Sequence, residues 1–96
     1  MRVMIKANLS TDRTNELFRT GKVPEVMQAI LERIKPEAAY FGPEHGKRTC
    51  FLICDLEDNW RLPATLEPLF DQFDAEVEVF PVMDREDLRK GLAQLG

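Results

Sequence analysis

The chain has little of what metal, nucleotide or hydrolytic chemistry usually requires. Its 96 residues include one histidine and two cysteines, with no paired His or Cys at metal spacing, so a structural zinc site is excluded. Cys50 and Cys54 lie four apart in a stretch that reads as a strand. At about 3.3 Å per residue their α-carbons are roughly 13 Å apart, too far for a disulfide or for sharing one metal ion. Both are expected as buried structural thiols. A Gly-rich phosphate loop and a Gly-x-Ser-x-Gly elbow are missing, which removes nucleotide and serine hydrolysis. No motif implies a cofactor.

Basic clusters are missing too. The net charge is −4 and Lys and Arg are scattered among acids, which opposes tracking of a nucleic-acid backbone. No apolar run approaches a membrane span, and Met1 to Asn8 has neither the apolar core nor the small-residue cleavage site of a signal peptide. A cytoplasmic protein with no membrane partner is expected. With 44% hydrophobic and 31% charged residues, the composition is that of a folded globular chain. Residues 1–96 are expected to form a single domain small enough that pairing with a second copy would add stability.

The stretch Lys35 to Leu56 reads as two strands around a turn: Glu37–Gly42, a connection Pro43-Glu44-His45-Gly46-Lys47, and Arg48–Leu56. Before it, Val3, Ile5, Ala7 and Leu9 alternate with Arg2, Met4, Lys6 and Asn8, the period of a strand with one apolar face. Ser10-Thr11-Asp12 offers capping oxygens for a short helical turn through Asn15–Phe18, ended by Gly21. Pro24 to Lys35 carries Val26, Met27, Ile30, Leu31 and Ile34 at helical spacing.

A second helix, capped by Asp58 or Asn59, buries Leu62, Leu66, Leu69, Phe70 and Phe73; Pro68 should bend it or split it near Ala64. Glu76–Met83 is a strand whose Pro81 places it at a sheet edge or a bulge. Asp84 caps a terminal helix with Leu88, Leu92 and Leu95 on one face, expected to pack on the body or on a partner.

This order predicts an α+β, ferredoxin-like βαββαβ fold with an antiparallel sheet and an extra C-terminal helix. Right-handed crossovers place the first and third strands in the middle. The sheet face away from the helices would carry Met4, Phe51, Ile53, Phe80 and Val82, more apolar surface than a monomer usually shows to water. A partner sheet, in a homodimer, should cover it.

In this element order the chain resembles the dimeric alpha-beta barrel proteins, in which two such sheets close face to face. More closely, Lys35-Pro36-Glu37-Ala38-Ala39-Tyr40-Phe41, Gly46-Lys47-Arg48-Thr49, Glu67-Pro68-Leu69-Phe70, Ala75-Glu76-Val77-Glu78 and Pro81-Val82-Met83 are similar to a group of small, uncharacterised bacterial proteins of that type. The wider superfamily includes cofactor-free quinone-forming monooxygenases, muconolactone isomerase-like enzymes, haem-binding members and non-catalytic ligand sensors. The resemblance therefore implies either a cofactor-free oxygenase or isomerase-like enzyme, or a non-catalytic dimerisation or ligand-sensing module.

If the turn is centred between Glu44 and His45, Tyr40 lies opposite Thr49, Phe41 opposite Arg48 and Ala39 opposite Cys50. Buried thiols belong to the core, so Cys50, Leu52 and Cys54 face the helices while Tyr40, Phe51 and Asp55 face the inter-sheet cleft. Lys6, Asn8, Glu78 and Phe80 join them. This lining suits a small apolar, oxygen-bearing ligand. Structural roles compete at several positions: a Lys6–Glu78 cross-strand ion pair, a turn-capping Asp55 and an interface Tyr40. His45 is expected as a solvated turn residue and Trp60 as a packing anchor.

Overall fold

The computed structural model describes residues 1–96. Strand β1 (Arg2–Asn8) alternates as its sequence requires, with Val3, Ile5 and Ala7 buried on one side. Helix α1 (Thr11–Arg19) follows, its first turn closed by the Ser10 hydroxyl, which accepts from the Arg13 amide at 3.2 Å. The cap supports a full nine-residue helix where a short turn was expected. Helix α2 (Val23–Ile34) has Pro24 in its first turn and ends on Lys35 in the left-handed region, φ 51°.

The hairpin corrects the expected register. Strands β2 (Ala38–Glu44) and β3 (Lys47–Asp55) run closer together than the sequence suggested, leaving only His45 and Gly46 between them. Both have positive φ, 54° and 72°, the geometry of the two-residue turn that matches the twist of paired strands. Tyr40 consequently lies opposite Phe51, not Thr49, and Phe41 opposite Cys50. The slip is two residues. Because side chains alternate with a period of two, every residue keeps the face the sequence assigned to it.

A 3-10 turn (Asn59–Arg61) leads into α3 (Leu62–Phe73), which runs unbroken through Pro68; the expected split near Ala64 does not occur. Leu69 and Phe73, both fully buried, hold that helix to the sheet in the turns just after the lost backbone bond. Asp58 makes no side-chain cap, and Trp60 is exposed beside Arg61 rather than anchoring the helix. Strand β4 (Glu76–Pro81) is shorter than the expected Glu76–Met83 and lies at a sheet edge, where Pro81 costs no ladder bond inside the sheet. Helix α4 (Arg85–Ala93) begins with a capping box between Asp84 and Asp87.

The antiparallel sheet has the order β2-β3-β1-β4, with the first and third strands central. The fold is α+β and ferredoxin-like. Leu17, Ile30, Leu69 and Phe73 from the helices close over Ile5, Leu52 and the two free thiols, Cys50 and Cys54, on one face. Burial pushes the Cys50 thiol up to about 11, so it is a neutral core group. The other face has no helix.

Helix α4 stands apart from this core. Its first turn is tied back by Arg2, which pairs with Asp84 and Asp87 at 3.2 and 3.1 Å, while Leu88, Leu92 and Leu95 remain exposed. The chain is elongated in consequence: its radius of gyration is 15.2 Å and its longest extent 56 Å. A globular chain of this length has a radius nearer about 12–13 Å.

Candidate functional site

Four side chains stand in one row across the open face, one from each strand: Tyr40, Phe51, Lys6 and Glu78. The neighbouring rows are Ala38, Ile53, Met4 and Phe80 on one side, and Gly42, Thr49, Asn8 and Glu76 on the other. Asp55 lies one row beyond Phe80, opposite Arg2, at the end of β3. Tyr40, Phe51, Lys6, Glu78, Asn8, Phe80 and Asp55 thus share one face. They do not form one cluster.

The polar half of the face is a connected network centred on a residue that sequence reasoning missed, Glu44. Lys6 donates to Glu44 Oε2 at 2.7 Å, and Asn8 donates to Glu44 Oε1 at 2.9 Å and to Thr49 Oγ1 at 2.8 Å. The Thr49 hydroxyl in turn donates a hydrogen bond to the Lys47 carbonyl at 3.0 Å. Glu44 crosses β3 to reach β1 because Gly42 and Thr49 leave no bulk in its way. The Lys6–Glu78 pair is looser, at 3.6 Å. Only 14% of the Lys6 side chain is exposed, and Asn8 and Thr49 are buried.

The hydrogen bond from Lys6 holds the Glu44 carboxyl below its usual range, reinforced by that from Asn8; the same bond raises Lys6. Both groups are therefore firmly ionised near neutral pH. They can orient a polar ligand and set the local potential, but as they stand neither is matched to moving a proton.

The linkage has a definite sign. Glu44 binds protons less readily folded than unfolded, so its contribution to stability is present above the ordinary carboxylate range, about 4.3, and is lost as pH falls through its lower folded value. Lys6 contributes below about 10.4 and loses that contribution as pH rises through its raised folded value. Urea midpoints for Glu44→Gln should fall less steeply than wild type between about pH 5 and pH 3. An unchanged acid slope would show that the network does not contribute in this window.

At the other end of the row, the Tyr40 side chain is 68% exposed and its hydroxyl has no partner within the chain. Phe80 is exposed and Phe51 half-buried. Asp55 pairs with the Met1 amine at 3.1 Å, both groups exposed. His45, in the hairpin turn, is exposed with Nε2 3.7 Å from Glu44 Oε1. No three His, Cys, Asp or Glu side chains converge in a way that would hold a metal ion. The face is shallow: none of its central row lines any of the larger cavities.

A family model described as Domain of unknown function (DUF3303) matches residues 1–96. The chain belongs to the DUF3303 family. No curated protein matches it. No helix of this DUF3303 member is long and apolar enough to cross a membrane. One turn feature of the DUF3303 chain points to Glu44 in retrospect: His-Gly as a two-residue loop extends β2 by two residues, places Glu44 in the strand and turns it toward Asn8.

Proposed function

We propose that two copies of the chain pair open face to open face as a dimeric alpha-beta barrel, and that the cleft between the sheets binds a small apolar, oxygen-bearing compound. The observation that carries this reading is the row Tyr40, Phe51, Lys6 and Glu78. It sets an unpartnered phenol and an apolar surface beside a satisfied, ionised network, on a face that no element of the chain covers. Exposed apolar patches of this kind mark association surfaces, and convergent polar groups on an apolar wall give a ligand its orientation.

Tyr40 donates to the ligand oxygen, Phe51 and Phe80 pack on its apolar body, and Lys6 with Glu78 sets the polar end. Asn8 serves by fixing Glu44, which in turn fixes Lys6. The role is binding or ligand sensing rather than cofactor-free oxygenation or isomerisation. The ionisation of Lys6 and Glu44 favours it, since proton abstraction needs a base poised near the working pH.

Light scattering at micromolar concentration should give twice the 11.1 kDa chain mass. A thermal-shift screen of aromatic and polyketide-like compounds should find binders whose affinity drops roughly threefold to tenfold in Tyr40→Phe. A stable monomer at those concentrations would overturn the pairing, and binding indifferent to Tyr40 would overturn the assignment of the phenol.

A further inference from the structure

The two edges of the sheet are unlike. Edge strand β4 is guarded, since Glu76 and Glu78 charge it and Pro81 interrupts it. Edge strand β2 is bare: from Ala38 to Gly42 it has no charged residue and no proline, and Tyr40 and Phe41 are exposed. An edge of this kind is a template for another strand, and two copies can meet there without like-charge repulsion.

The hairpin fixes which backbone groups of β2 face outward. Its two-residue turn closes on the hydrogen-bonded pair Glu44 and Lys47, and bonded pairs recur at every second residue. Gly42, Tyr40 and Ala38 therefore bond β3, while the N–H and C=O of Ala39 and Phe41 point away from the sheet. Pro43 comes next in the outward series and has no N–H to offer. The side chains of Ala39 and Phe41 lie on the helix side, opposite Leu52 and Cys50. Beside the small Ala39 is a depression of about 540 Å³, bounded by Met27, Leu31 and Pro36.

We infer that β2 pairs antiparallel with β2 of a second copy about a two-fold axis at Tyr40, joining two sheets edge to edge. Of the two-fold registers, this one alone pairs every outward N–H and C=O of Ala39 and Phe41, each residue bonding the other in the partner. Tyr40 stands directly opposite the partner's Tyr40 in the closer, non-hydrogen-bonded kind of pair, which suits aromatic contact. Size specifies the occupant: the exposed Phe41 ring of each copy lands beside the partner's Ala39, in the depression under Leu31 that a single chain leaves open. The contact is small, so it forms at higher concentration than the pairing of open faces, and it does not depend on that pairing.

The test is amide hydrogen exchange, read by NMR, on wild type and on Ile53→Lys, which removes pairing through the open face. In both, the Ala39 and Phe41 amides should exchange roughly tenfold more slowly at about 1 mM chain than at about 20 μM, while the Tyr40 and Gly42 amides, bonded to β3 in either state, change little. Face-to-face pairing alone would protect neither outward amide, so the two associations fail separately. Tyr40→Lys sets two ammonium groups opposite each other and should abolish the concentration dependence. Phe41→Pro removes an outward donor without touching the bonds to β3, and should abolish it at Ala39. Exchange at Ala39 and Phe41 that is independent of concentration, or a dependence that survives both substitutions, would overturn the inference. Equal protection by an alternating Val-Thr heptapeptide at the same concentration would overturn the second copy as the occupant.

Discussion

Under the proposed face-to-face pairing, Ile53→Lys is expected to leave monomers, raising the dissociation constant on the order of a thousandfold. Ile53 sits near the centre of the open face, between Ala38 and Met4. In a two-fold pairing each copy presents the same patch, so one substitution places two ammonium groups in one apolar interface. Opposed like charges of this kind cost several kcal/mol. The side chain is only half-buried in the single chain, so circular dichroism and the urea midpoint at low protein concentration should stay close to wild type. Sedimentation velocity over a dilution series measures the effect. A dissociation constant within a few-fold of wild type would mean that the open face is not where copies meet.

Phe73→Ala should have the largest effect on the fold itself. Phe73 is the largest fully buried side chain, 0% exposed, at the C-terminal end of α3 where the helix meets the sheet. Phe→Ala truncation in a core costs about 3–5 kcal/mol, from lost transfer energy and the cavity left behind. A chain of this size has a total stability of roughly 5–15 kcal/mol, so a large part of it would be lost. The residue also sets the end of its element: its carbonyl accepts the Ser10 amide at 3.1 Å, linking α3 to the start of α1. Urea unfolding should show a lower midpoint with a similar slope; a loss under about 1 kcal/mol would show that the site collapses without a cavity.

The sheet was legible in the sequence because its signals are local and redundant. Alternation in Val3, Ile5, Ala7 and Leu9 identifies both β1 and its buried face, and Pro81 identifies an edge. The facing of the thiols could be read for the same reason, since burial of Cys50 and Cys54 decides it for β3, and the facing of Tyr40 held only because the register slip is an even number of residues. The register itself was not legible, since His45 in the left-handed region is an uncommon choice for the first position of a tight turn and His-Gly does not announce one as Asn-Gly does.

Glu44 was lost with it. Assigned to a loop, it has no face; as a strand residue it becomes the acceptor for Lys6 and Asn8. The continuity of α3 through Pro68 was hidden for a different reason. Propensity counts the missing backbone bond, whereas the burial of Leu69 and Phe73 that outweighs it belongs to tertiary packing.

The central position of β1 also bears on how the chain comes into being. It is made before any of its neighbours, yet its partners are β3 at Lys47–Asp55 and β4 at Glu76–Pro81. As the polypeptide is synthesised, the hairpin of β2 and β3 closes locally on a microsecond scale, while β1 keeps one bare edge until β4 has emerged. The sheet is thus completed late and by long-range pairing, which is slow relative to local folding. Until β4 docks, the chain is a three-stranded intermediate with its central strand β1 unpaired along one side, the species on which a chaperone would act.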